Sequence, residues 1–186
     1  MKIRAATEAD HDAVWNIFHE TIAPGDTYAF DPKMSREEAL AYWFRADTHT
    51  YVAELDRQSL GKAHSFPGRA MPSPTAGKQD RRIVGTYILR PNQSGGGSHV
   101  ANAAFMVAAS ARGQRIGRAM AEHCLDEARR MGFRAMQFNF VVSTNAPAIH
   151  LWEQLGFKIV GTLPDAFHHH EKGYVDVYVM YRSLLT

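Results

Sequence analysis

The segment Arg112-Gly113-Gln114-Arg115-Ile116-Gly117-Arg118-Ala119 places two glycines and three arginines where an apolar strand pattern gives way to a helical one. A helix that starts here offers unpaired N–H groups and a partial positive charge to whatever lies in front of it. An anion fits that position. A diphosphate could accept several of these N–H bonds at once, with the arginine side chains adding charge-assisted contacts. The spacing is neither Gly-x-Gly-x-x-Gly nor the Gly-Lys-Ser/Thr of a P-loop, so dinucleotide and nucleoside triphosphate readings lose their main support. Taken alone, a glycine pair reads equally well as a device for tight helix packing.

Two asparagines are the next candidates. Asn102 lies between Ala101 and Ala103, and Asn139 between Phe138 and Phe140, inside segments that otherwise read as apolar strands. Asparagine is depleted in strands and costly to bury without partners, so each must be hydrogen-bonded, to the sheet or to a ligand. Tyr28 and Phe30 sit in an aromatic loop and either wall a pocket or pack. His168-His169-His170 lacks a second ligand cluster, which leaves a polar loop near the cleft as the expectation rather than a zinc site. The lone Cys124 falls mid-helix and reads as core.

These residues need a scaffold to hold them. Ile3 to Ala5 reads as a strand, and the three-and-four spacing of Val14, Ile17, Phe18 and Ile22 as a helix. Pro24-Gly25-Asp26 stops it. Ser35 with Glu38 forms a capping box before a second helix with Leu40, Trp43 and Phe44 on its apolar face. Strands are expected at Thr50 to Leu55, Ile83 to Leu89 and Val100 to Val107. Residues 57–81, with three prolines and three glycines among small polar and basic residues, read as an inserted, mobile loop. A helix from Ile116 runs through Met120, Cys124, Ala128 and Met131 to a stop at Gly132. Strand Ala135 to Val142 follows. Asn145 then caps a helix with Pro147 in its first turn and Ile149, Trp152 and Leu155 on its apolar face. Phe157 to Thr162 and Tyr174 to Tyr181 complete the strands. The order β, α, α, β, β, β, α, β, α, β, β predicts an α/β (α+β) domain spanning 1–186, with a mixed, mostly antiparallel sheet of about seven strands and about four helices.

Composition narrows the function. The chain has 186 residues, 45% apolar and 22% charged, with a net charge of +2, all in the ordinary globular range. The basic residues are scattered, and no helix-turn-helix, zinc-finger spacing or ribonucleoprotein aromatic pair is present, which argues against nucleic acid as partner. The N-terminal segment lacks the apolar core of a secretory signal and no apolar run approaches a membrane span. A single cysteine suits a reducing compartment. A cytoplasmic enzyme is the expectation.

Two segments resemble the GCN5-related N-acetyltransferases (GNAT). Gln114-Arg115-Ile116-Gly117-Arg118-Ala119, preceded by Phe105-Met106-Val107, matches the pattern Arg/Gln-x-x-Gly-x-Gly/Ala. Asn145-Ala146-Pro147-Ala148, followed by Trp152-Glu153-Gln154-Leu155-Gly156-Phe157, is similar to the second signature, Asn-x-x-Ala with an aromatic and Gly-Phe. The resemblance implies acetyl-coenzyme A as cosubstrate. Backbone groups of Phe105, Met106 and Val107 would pair with its pantetheine arm, residues Arg112 to Ala119 would hold the pyrophosphate, and Asn145 and Trp152 would contact the arm. Where many relatives have a tyrosine that can protonate the departing thiolate, this chain has Trp152, whose indole N–H has no usable acidity. Tyr174 and Tyr178 are substitutes to consider. The glutamate that many relatives carry before the turn is also missing, which leaves Glu54, His99 and Asp176 as possible bases.

The segments Val100 to Phe105 and Gly156 to Asp176 are similar to the fungal acetyltransferases of the proline analogue azetidine-2-carboxylate. That branch implies a small amino acid as amine acceptor, with Asn102 and Asn139 as catalytic and acceptor-contacting residues and Tyr28 and Phe30 as pocket walls. Acetylation of a protein lysine or N-terminus, a non-catalytic acyl-coenzyme A sensor, and a homodimer, which is common in such families, are the other readings.

Overall fold

The computed structural model describes residues 1–56 and 81–185. Its frame is one seven-stranded sheet in the order β1-β2-β3-β4-β5-β7-β6. The strands are β1 (Lys2–Ala5), β2 (His49–Asp56), β3 (Arg81–Pro91), β4 (Val100–Val107), β5 (Ala135–Val142), β6 (Lys158–His169) and β7 (Gly173–Ser183). Four α-helices are present among the described residues: α1 (His11–Ile22), α2 (Arg36–Trp43), α3 (Ile116–Arg130) and α4 (Ala146–Gln154). Every strand pair is antiparallel except β4 with β5.

Helices cover both faces because each strand alternates its side chains between them. On one face Val84, Tyr87, Leu89, Ala101 and Ala103 meet Met120, Ala121, Cys124 and Ala128 of α3. On the other, Val52, Ile88 and Met106 meet Val14, Ile17, Phe18 and Ile22 of α1 and Ala39 and Trp43 of α2. The expected face of α2 is thereby corrected. Ala39, not Leu40, is buried beside Trp43, since four residues bring a helix back to the same side. Ser35 and Glu38 do form their capping box. Cys124 is fully buried in the core, and burial pushes its thiol pKa well up, which suits packing rather than nucleophilic work.

The insertion boundary shifts. Arg81, assigned to the loop from its composition, is the first residue of β3, aligned with Asp56 of β2 and ion-paired to it at 3.3 Å. The remainder of the expected insertion, 57–80, lies outside the described residues. Because the ladder is already closed at Asp56 and Arg81, replacing 57–80 with a two-residue Asn-Gly hairpin turn should leave thermal unfolding within a few degrees of the parent. Insoluble protein after that exchange would contradict a ladder that closes unaided.

The histidine run is also re-placed. β6 continues to His169, so His168 and His169 pair with Tyr174 and Gly173 at the tip of the β6–β7 hairpin rather than forming a loop at the cleft. His169 is buried, with its Nδ1 accepting from the Glu171 N–H at 3.1 Å. Tyr174 stacks on His168 there and is 69% exposed, which removes it from the cleft.

A charged knot fixes β1 to α1. Arg4 donates two hydrogen bonds to the Asp10 carboxylate, at 2.7 and 2.8 Å, and its Nε donates to Glu54 at 2.6 Å. Arg81 reaches the other Glu54 oxygen at 3.5 Å. Glu54 is therefore structural and no longer a candidate base. The Arg4 guanidinium holds Asp10 down to about 2, from an ordinary value of 3.8. A depressed carboxylate contributes stability that is present above its unfolded pKa and is lost as pH falls through the folded one. Asp10→Asn should thus cost at most about 2 kcal/mol at pH 7, with the difference from the parent closing between pH 4 and pH 2 in urea melts. A difference independent of pH would exclude this origin.

Candidate active site

The parallel pair β4–β5 is the opening in the sheet. Its strands align only at Val100 with Ala135 and Ala101 with Met136, then separate toward the C-terminal end of β4. One position past the last aligned pair the Asn102 side-chain amide donates to the Gln137 carbonyl at 2.9 Å, which extends the ladder by one side chain. On the other wall, β5 carries a bulge. Phe138 aligns with Met180 and Val141 with Tyr178, so Asn139 and Phe140 together oppose one residue of β7. A bulge re-aims side chains, and both residues here line the cavity. Asn139 donates to Asn92 at 2.6 Å and accepts from Gln137 at 2.8 Å.

The wedge between the strands is a cavity of about 740 Å³, within the size range of small-molecule sites. Tyr28, Phe30, Tyr42, Arg90, Asn102 and Asn139 line its α1–α2 side. Phe105, Val107, Phe138, Asn145, Leu151 and Trp152 continue it, and Arg112 stands at its far end. The walls are one aromatic assembly. Tyr28 stacks on Phe30 with centroids 5.7 Å apart, Phe30 meets Tyr42 edge-on at 5.0 Å, and Trp152 packs on Phe105 and Phe138 at 5.1 and 4.7 Å. Asp26 is the acidic residue of this lining; His99 and Asp176 are not part of it. The Asp176 carboxylate instead accepts from the Asp165 N–H, and His99 is bonded to Gly96. Tyr178 packs against the core below.

Tyr28 corrects one expectation. Its hydroxyl donates to the Phe105 carbonyl at 2.5 Å and accepts from the Phe105 N–H at 3.2 Å, so both groups meant for the pantetheine arm are occupied. Burial raises the phenol's pKa and keeps it protonated. Ala108 N–H points to Val84 of β3, and by strand alternation Val107, like Phe105, turns its backbone groups to the cleft. Tyr28→Phe should strand the Phe105 pair and lower the unliganded melting point by about 1–3 kcal/mol in stability. An unchanged melt would mean that these bonds do not form in solution.

At the far end lies the turn expected to receive an anion. The 3₁₀ turn Ala109–Ala111 leads to Gly113 at φ 77° and Arg115 at φ 61°. Arg115 is a non-glycine residue held left-handed as the N-cap of α3, a conformation that costs energy and clusters at functional sites. The backbone N–H groups of residues 113–118 have no backbone acceptor among the described residues. Arg112 and Arg115 are exposed, and among the described residues their guanidinium groups have no acidic partner. Arg118 instead reaches Gln154 and Glu122, joining the first turn of α3 to the last residue of α4. Gly117 faces Val107 and Leu151, and Ile116 is buried below. Asn145 caps α4 by accepting from the Ala148 N–H at 3.3 Å and also lines the cleft. Unpaired amides, free guanidinium groups and an open strand edge on one groove fit a pyrophosphate with an extended arm.

Residues 15–157 match the sequence model described as "Acetyltransferase (GNAT) family". The chain belongs to this family. GNAT members are acetyl-coenzyme A-dependent acetyltransferases, and the groove is the candidate place for that cosubstrate. N-acetyltransferase aca1 of Schizosaccharomyces pombe is 36% identical over 160 residues, which cover 85% of this chain and 72% of that protein. Among solved structures, a GCN5-related N-acetyltransferase from Kribbella flavida is 39% identical with a TM-score of 0.81, covering 98% of this chain and 96% of that one. The yncA acetyltransferase from Salmonella typhimurium, solved with acetyl-CoA, shares the fold at TM-score 0.74 and 22% identity, over 100% of this chain and 95% of that one. The splayed β4–β5 pair of this GNAT chain is where the fold and the groove meet.

Sequence reasoning missed Tyr42, Arg90, Asn92 and Gln137. All four lie just beyond segments read for their apolar pattern, or on the polar side of them; Tyr42 meets Arg90 where α2 packs on β3, and Asn139 links Asn92 to Gln137.

Proposed function

We propose that this acetyltransferase moves the acetyl group of acetyl-coenzyme A to the amine of a small amino acid or analogue, by direct attack in a ternary complex. The observation that supports this reading is the walled cavity on the α1–α2 side of the cleft, closed by Tyr28, Phe30 and Tyr42 and floored by two carboxamides. Aromatic walls on that side suit a small acceptor rather than a peptide backbone in an acidic groove. The kinship with the aca1 acetyltransferase supports the fungal branch read from the sequence. The lining offers a single carboxylate, Asp26, and Trp152 where a phenol would serve as acid, so catalysis rests mainly on holding a neutral amine against the thioester carbonyl. The proton leaves from the attacking nitrogen, and coenzyme A departs as the thiol.

Asn102 and Asn139 are proposed to contact the acceptor. Among the described residues the Asn102 carboxamide oxygen has no donor while its N–H₂ bonds Gln137, which would let it serve sheet and acceptor together. Alanine at either position should lower kcat/KM for the acceptor about 10- to 150-fold, the worth of one hydrogen bond to a charged group, with acetyl-coenzyme A affinity unchanged. Asn102→Ala should also melt earlier. Variants that melt early yet keep parental kinetics at low temperature would remove both residues from the acceptor site.

The test of the whole reading is coenzyme A release with small amino acids, a lysine peptide, or no acceptor. Turnover with small amino acids is expected. Release only with the peptide, or none with any acceptor, would refute it. The proposal includes a cytoplasmic place, and no helix among the described residues is long and apolar enough to cross a membrane. It also includes a homodimer. Edge strand β6 exposes Ile159, Val160 and Leu163, and a monomeric mass in sedimentation equilibrium would exclude pairing.

A further inference from the structure

We infer that Arg90 is the carboxylate anchor of the acceptor pocket and sets its specificity for amines that carry an acid group. The inference rests on the acceptor reading above. Arg90 follows the apolar run of β3 and aligns with Asn102 across the β3–β4 ladder. Its Nη2 donates to the Tyr42 hydroxyl at 2.9 Å, and its guanidinium carbon lies 5.0 Å from the Tyr42 ring centroid. Those contacts lock the group's position. Its Nη1 is buried and has no hydrogen-bond partner among the described residues, and no carboxylate among them pairs with Arg90.

A buried donor without a partner costs about 1–3 kcal/mol, more when it is charged, so such a group persists where a ligand completes it. The ligand must be an acceptor of hydrogen bonds and, to offset a guanidinium in an aromatic pocket, an anion. The cosubstrate's diphosphate is not that anion. Arg90 aligns with Asn102, whereas the amides of residues 113–118 lie past the other end of β4. From Asn102 to Val107 the strand alone spans roughly 17 Å, too far for one diphosphate to reach both. What remains is an anion on the acceptor, held beside the two carboxamides that line the same cavity. An α-amino acid carries its carboxylate two bonds from the nitrogen that attacks, which lets Arg90 fix the one while the cleft presents the other.

The experiment compares alanine and azetidine-2-carboxylate with their carboxamides, at equal free-amine concentration, for the parent enzyme, Arg90→Gln and Arg90→Lys. The parent should prefer each carboxylate about 10- to 150-fold in kcat/KM. Arg90→Gln should lose that preference by losing the carboxylate substrates selectively. Arg90→Lys should keep part of it, as a point charge without the fork. The thermal shift given by acetyl-coenzyme A should be the same in all three. Arg90→Gln that keeps the preference, or loses carboxylate and carboxamide substrates by one common factor with an earlier melt, overturns the anchor. A parent that acetylates other small amines with no carboxylate preference overturns it too, and leaves acetyl transfer standing. A parent shifted by acetyl-coenzyme A that acetylates no small amine at all defeats the acceptor reading itself.

Discussion

Gly117→Glu is expected to abolish the stabilisation that acetyl-coenzyme A gives to the folded protein. At a hundredfold excess over its dissociation constant the cosubstrate should add about 2.7 kcal/mol to the parent, or roughly 5 to 11 °C for a chain of this size. The substitution acts on the ligand and spares the fold. A Cβ built at Gly117 meets Leu151 and Val107 at 3.8 and 3.9 Å, which is ordinary contact, so side-chain bulk is sterically tolerated. A carboxylate in the first turn of α3 also favours the helix through its dipole, and leaving glycine lowers the entropy of the unfolded chain. The unliganded variant should therefore melt at or slightly above the parent. Its negative charge, however, occupies the concavity formed by the amides of residues 113–118, where it takes hydrogen bonds meant for phosphate and repels it. Gly117→Ala is the matched control and should retain much of the shift. If Gly117→Glu is stabilised as strongly as the parent, the phosphates lie elsewhere.

Trp43→Ala should be the most damaging single change to the scaffold, at about 3–5 kcal/mol against a typical total of about 5–15. The melting point should fall roughly 6 to 20 °C. Trp43 is fully buried, meets Phe18 of α1 edge-on at 5.4 Å, and donates from Nε1 to Thr86 at 3.0 Å. Thr86 in turn donates to the Tyr51 carbonyl, and Thr50 donates to the carbonyl of Trp43. The residue thus docks the end of α2 onto β2 and β3. Its neighbour Tyr42 holds Arg90, so the loss should also raise the acceptor's KM more than it weakens acetyl-coenzyme A. Trp43→Phe, which keeps the ring and drops the N–H, should cost only about 1–2 kcal/mol. A Trp43→Ala protein that melts with the parent would show that α2 is held by other contacts.

Much of this architecture was legible in the residues themselves. Strands Val100 to Val107 and Ala135 to Val142 fall where the sequence places them, as does α3 from Ile116 to its glycine stop, because periodicity and capping are local properties. The candidate anion site was legible for the same reason. A helix N-terminus carries its unpaired amides wherever the chain folds, and a glycine pair with arginines announces them.

The acceptor end was not legible in this way. Arg90 lies just past the strand expected at Ile83 to Leu89, and Tyr42 lies between Leu40 and Trp43 of a helix read for its apolar face. Tyr28 gave no sign that its hydroxyl would close on Phe105, 77 positions away. Nor did composition reveal that Asn139 sits in a bulge or that β4 and β5 part after two aligned positions. Sequence alone determined the elements and the site that one element's end can make. The tertiary structure decided the proposed acceptor pocket, because hydrogen bonds and side-chain direction across strands depend on register, and register is set by pairing between distant segments.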